Sequence, residues 1–158
     1  LGERFLVVGH SFGGCLATRL AHLHADRVTA LGLFNTTGHL PRTLPARLLE
    51  LFSLRSRWVH ESFPRMVTTP PEVAHHLMTR TLREWNVWPL YSQLRVPTLV
   101  ALGGRDLLIP LRLGRQMAEL IPDVRLEVVR DAGHVLMAER PALVTSWLRD
   151  LAARSMGG

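Results

Sequence analysis

The chain has 158 residues, 47% hydrophobic and 20% charged, the composition of one ordinary globular domain. It has no apolar run near the roughly 18 residues that cross a bilayer, no signal-peptide pattern and a single cysteine, so neither a spanning segment nor an internal disulfide is expected. Its formal charge of +6 comes from arginine without any lysine, scattered instead of clustered, which argues against a nucleic-acid surface and leaves a cytoplasmic location as the expectation.

Phe5 to Val8 reads as a buried strand that runs into Gly9-His10-Ser11-Phe12-Gly13, followed by Gly14. This fits G-x-S-x-G, the sharp strand-to-helix turn that lifts a serine hydroxyl above a sheet. Such a pattern arises by chance in about one in twenty chains of this length, so its context matters. The turn strains the serine backbone, and Gly9 and Gly13 are expected to lack Cβ atoms so that strand and helix can pass. Phe12 to Leu23 then carries Leu16, Ala17, Leu20, Ala21 and Leu23 at helical spacing, predicting one face against a sheet. Cys15 in that helix reads as packing, and His22 and His24 as solvated or capping side chains. Val28 to Phe34 is a second strand, so the pair and its helix form a parallel βαβ unit.

From about residue 35 to 91 the βα rhythm breaks, with prolines and short helical stretches around Leu44 to Leu54 and Glu72 to Trp85. This reads as an insertion. Leu44, Leu48, Leu51 and Phe52 recur at helical spacing among arginines, and two uses compete: a lid with an apolar underside, which we favour, or a surface that meets lipid or a partner. His39, His60, His75 and His76 fall here, but no carboxylate or cysteine joins them at ligand spacing, so no metal site is expected.

Thr98 to Leu102 resumes the rhythm as a strand ending in Gly103-Gly104-Arg105-Asp106. Pro110 to Leu120 reads as a helix with Leu111, Leu113, Met117 and Leu120 on its apolar side, and Val124 to Val129 as a fourth strand. That strand leaves through Arg130-Asp131-Ala132-Gly133-His134. Pro141 opens a last helix that buries Leu143, Val144, Trp147, Leu148 and Leu151, and Ser155 to Gly158 reads as a loose tail. Ser11, Asp106 and His134 each follow a strand's carboxyl end, where parallel α/β sheets bind ligands.

The Gly9 to Gly13 elbow, the Gly104-Arg105-Asp106 turn and the Gly133-His134 turn, in that order, resemble the α/β-hydrolase family, within it the serine esterases and monoacylglycerol-lipase-like hydrolases. The resemblance covers essentially the whole chain. It implies an α/β fold of about four parallel strands with flanking helices, a core over residues 1–34 and 92–154, and a helical lid over about 35–91. It also implies that Leu1 opens on the C-terminal portion of such a fold, with the N-terminal strands and oxyanion loop upstream, so that the Arg4 to Val8 strand, central in the family sheet, becomes an edge here. Ser11 would attack an acyl carbonyl, His134 would act as general base and then acid, and Asp106 would orient His134; Asp131 is the rival acid. The Phe12 backbone N–H would serve the oxyanion hole, its second donor lying upstream. No cofactor is implied. A small lipophilic ester or acyl compound is the expected substrate, with lipid contact through the lid as an added use; oligomeric state is left open. Thioester or carbon–carbon bond hydrolysis uses the same triad, and a truncated interaction module is the reading from outside enzymes.

Overall fold

The computed structural model describes residues 4–39, 44, 48, 70–76, 80, 81 and 84–156. Strand β1 (Phe5–His10) turns at Ser11 into helix α1 (Phe12–Leu23), and β2 (Val28–Phe34) follows. Helix α2 (Pro71–His76) and a 3-10 helix (Trp88–Gln93) come next among the described residues. Then come β3 (Thr98–Gly103), α3 (Leu111–Leu120), β4 (Val124–Val129), α4 (Leu136–Glu139) and α5 (Pro141–Met156). Leu44 and Leu48 are helical and exposed. The rest of the basic amphipathic run, and His60 with it, lies outside the described residues.

The four strands form one sheet in the order β1-β2-β3-β4, every pair parallel. His10 pairs with Phe34 and Gly103 with Val129, so all four strands deliver their carboxyl ends to one edge. Both faces are covered, which is why β2 and β3 read as near-continuous apolar runs. Leu31, Leu33, Val100 and Leu102 point into the layer with α1, α3 and the 3-10 helix. Ala30, Phe34, Leu99 and Ala101 point the other way, against Val144, Trp147 and Leu151 of α5. The alternation is the strand period of two, and each fully buried leucine contributes about 1.5–3 kcal/mol.

Three expectations need correction. Helix α1 buries Gly14, Cys15, Ala17, Thr18 and Ala21 and leaves Leu16, Leu20 and Leu23 exposed. The elbow sets α1 down within one residue of the strand end, so the helix lies close to the sheet and small side chains face it. Strand β1 is not the buried strand its apolar run suggests, since Val8 is 46% exposed; among the described residues β1 takes the edge position that the resemblance implies. The tail is helical through Met156, and Ser155 Oγ bonds Ala152 O at 2.8 Å. Among the described residues, no helix is long and apolar enough to cross a membrane.

Candidate active site

Ser11 sits between strand and helix at φ 53°, ψ −126°, a conformation L-residues rarely adopt. Its amide donates to Phe34 O at 3.0 Å, and its carbonyl accepts from the buried Thr36 hydroxyl at 2.6 Å. The turn is therefore held from the end of β2 on both sides of the strained residue. A Cβ on Gly9 would lie 2.3 Å from Gly13 O, so this glycine is required by contact. Gly13 is not: a Cβ there would meet nothing within 4 Å, which corrects the symmetric expectation. Phe12 opens α1, so its N–H is among the first helical donors, which have no intrahelical acceptor. The Phe12 ring meets the Trp85 ring edge-on at 5.5 Å.

Asp106 and His134 are joined. His134 Nδ1 lies 2.8 Å from Asp106 Oδ2, and the carboxyl side chain is 1% exposed against 20% for the imidazole. The other oxygen, Oδ1, accepts the amides of Leu108 and Ile109 at 2.9 and 3.0 Å. Burial pushes this carboxyl upward, but the bonds from His134, the Ile109 amide and Asn35 outweigh it and hold the group below its ordinary range. An ionised carboxylate only accepts, so the proton of this bond is on His134 Nδ1, which leaves Nε2 as the ring nitrogen that can take or give a proton.

The pair can form because β3 ends in glycine. A Cβ on Gly103 would stand 2.1 Å from Gly133 O, so the loop carrying His134 crosses directly over the end of β3. Asp131 is elsewhere: exposed, it bonds Arg140 Nη2 at 2.5 Å, and that bond with its charge holds its carboxyl below the ordinary range. His10 brings the β1 end to the same loop, its Nε2 2.8 Å from His134 O. The structure thus gathers the ends of β1, β3 and β4 around one point, with Asp106 and not Asp131 against His134.

Sequence reasoning did not single out Asn35, Thr36 or Glu139. Asn35 and Thr36 immediately follow β2, and a polar pair after an apolar strand at the carboxyl edge was the available signal. Asn35 Nδ2 donates to Asp106 Oδ2 at 2.8 Å, and Glu139 Oε2 accepts the Gly133 amide at 2.8 Å.

A profile described as the alpha/beta hydrolase family matches residues 1–147. Protein ABHD8 of Mus musculus is 23% identical over 173 aligned residues, covering 94% of this chain and 39% of its own length. An esterase from Thermogutta terrifontis superposes with TM-score 0.78 at 23% identity, covering 97% of this chain and 66% of that one. The meta-cleavage product hydrolase CumD of Pseudomonas fluorescens IP01 superposes with TM-score 0.76 at 21% identity over the same shares, 97% and 66%. This chain therefore spans about two fifths of ABHD8 and just under two thirds of either hydrolase structure. With a profile match over most of its length and the same fold in the solved relatives, the chain belongs to the alpha/beta hydrolase family.

Proposed function

We propose that this chain carries the reacting groups of a serine hydrolase that cleaves a lipophilic carboxylic ester through an acyl-serine intermediate. The observation that carries the reading is the 2.8 Å bond between buried Asp106 and His134, one loop from a serine held at φ 53°. A serine hydroxyl is a poor nucleophile at neutral pH and needs a base to take its proton. With Nδ1–H committed to Asp106, His134 presents Nε2 for that proton and can return it to the leaving alcohol. Asp106 stays ionised, fixes the tautomer and stabilises the imidazolium. The oxyanion of the tetrahedral intermediate would meet the Phe12 N–H and the positive end of α1.

The substrate class rests on the walls. Phe12 and Trp85 form an aromatic pair beside the serine. An open cleft of about 510 Å³ lies against Trp85, lined also by His76, Arg80, Thr81 and Glu84. Arg80 and Glu84 bring opposite charges, which favours a neutral ester over an anionic one. Exposed Leu44 and Leu48 offer a contact with a lipid surface.

The test is labelling of the full natural chain with a fluorophosphonate, followed by turnover of nitrophenyl esters of increasing acyl length beside a thioester and a diketone. Ser11→Ala abolishes labelling, and His134→Ala lowers ester turnover by about 10⁴–10⁶-fold. A folded wild-type protein that neither labels nor turns over any of the three substrates would overturn the reading. Liposomes test the lipid contact: they raise activity, and Leu48→Asp removes the increase.

A further inference from the structure

His134 is held by more than its carboxylate. Asn35, at the end of β2, is 1% exposed and takes φ 44°, a left-handed conformation asparagine tolerates better than most residues. Its amide donates to Ala101 O at 2.9 Å, which ties it to β3. Its Nδ2 has two hydrogens, and the structure uses both: one bond of 2.8 Å to Asp106 Oδ2 and one of 3.0 Å to Gly133 O. Asn35 Oδ1 has no partner among the described residues, so what this side chain supplies is its donors.

His10 does the same for the next peptide. Its Nε2 lies 2.8 Å from His134 O, and a carbonyl only accepts, so that nitrogen carries a proton. Its ring also rests on the His134 ring, centroids 4.7 Å apart and tilted by 52°. Two consecutive carbonyls of the loop, those of Gly133 and His134, are therefore gripped from β2 and β1. His10 is the residue directly before Ser11. The loop is partly exposed, and water could satisfy both carbonyls if bonding alone were needed.

We propose that His10 and Asn35 form a two-point clamp that sets the position of the His134 imidazole relative to Ser11, and that both are positioning residues for the reaction. The proposal rests on the serine-hydrolase reading above. His10 ties the base to the strand that carries the nucleophile, and Asn35 ties base and acid together through one amide. Releasing either carbonyl lets the imidazole drift from the serine oxygen, and a misplacement of about 1 Å costs up to about 100-fold in rate.

The experiment measures kcat and KM for a nitrophenyl ester, with fluorophosphonate labelling rates, on the full natural chain. His10→Phe keeps a ring and removes the donor; His10→Gln returns a donor near the Nε2 position. Asn35→Gly removes both donors while accepting the positive φ. His10→Phe and Asn35→Gly are expected to lower kcat about 10- to 100-fold with KM nearly unchanged, and His10→Gln to recover most of the loss. Retention of kcat within about twofold in both His10→Phe and Asn35→Gly, while Ser11→Ala and His134→Ala are inactive, would overturn the clamp and leave the hydrolase reading standing. So would a loss in His10→Phe that His10→Gln fails to recover, since a donor returned to that place would then not restore the rate. Undiminished labelling of Ser11→Ala would instead remove the underlying reading, and the clamp with it. Should Asn35→Gly not fold, the His10 pair decides alone, because His10 is partly exposed at a strand end and its variants leave the core intact.

Discussion

Gly9 and Gly13 stand two residues either side of Ser11, and they carry unequal steric burdens. A Cβ on Gly9 would sit 2.3 Å from Gly13 O and 2.6 Å from Gly14 Cα, both backbone, so no side chain can turn aside. Reaching 3.0 Å, below which real Cβ contacts essentially never fall, requires β1 and α1 to separate by about 0.7 Å. Overpacking of this kind costs about 1–3 kcal/mol, or about 2–12 °C in Tm for a chain this size. The separation also moves Ser11, so labelling by a fluorophosphonate should slow by up to about 100-fold in Gly9→Ala. Gly13→Ala should behave oppositely. Its Cβ enters open space within a helix, where alanine is favoured over glycine by up to about 1 kcal/mol, so Tm holds or rises and labelling persists. Thermal unfolding and labelling rates on the two variants decide the matter. Wild-type values for Gly9→Ala, or a Gly13→Ala variant as damaged as Gly9→Ala, would refute the steric reasoning.

Cys15 is buried, donates to Thr37 O at 3.1 Å, and burial pushes its thiol to about 11. A thiol reagent at about pH 8 should modify it only as the protein unfolds, and rapid modification of native protein would contradict that. Asp106 has a folded pKa below its ordinary 3.8, so its contribution to stability is complete above that value and is lost as pH falls through it toward the folded one. Acid unfolding followed by circular dichroism should be less steep below about pH 4 in Asp106→Asn than in wild type, and equal slopes would refute the claim. Asp131→Asn breaks an exposed, solvent-screened pair and should leave turnover unchanged; a loss like that of Asp106→Asn would return Asp131 to candidacy. Among the described residues β1 pairs on one side only, with Val8, Leu16, Leu20 and Leu23 exposed beside it, so the 158-residue chain should self-associate with concentration. A monomer across the whole concentration range in sedimentation velocity would count against it.

Strands β2 and β4 and helix α1 were legible to the residue, because each is an apolar or helical run that opens directly after a charged residue or the serine turn. Their burial was less so. Periodicity placed Leu16, Leu20 and Leu23 on one stripe correctly but could not say which stripe faces the sheet, since that depends on how closely the elbow seats the helix. The 3-10 helix at Trp88–Gln93 carries no repeat longer than two turns, and its buried Tyr91 reflects tertiary packing against α1 and α3. Ser11, Asp106 and His134 stand out as candidates because each is a chemically distinctive residue shortly after a strand. Asn35 could not, because an asparagine after a strand reads first as a turn, and its meaning depends on partners 71 and 98 positions away.

Those separations bear on how the site comes to exist. Every strand supplies one element of the proposed site in chain order: Ser11 after β1, Asn35 after β2, Asp106 after β3 and His134 after β4. Because all four strands run the same way, the site lies on one edge and needs only short loops to close. The bond from His10 to the His134 carbonyl spans 124 positions and joins the first strand's end to the last strand's loop across the two between. No pair of neighbouring strands can make it. Contacts of such range are costly in loop entropy and form after local ones, so this bond closes only when the whole sheet is in register. The geometry around Ser11 is therefore a property of the completed sheet, and a slip in any of the three strand pairings would disturb the site before it exposed much of the core.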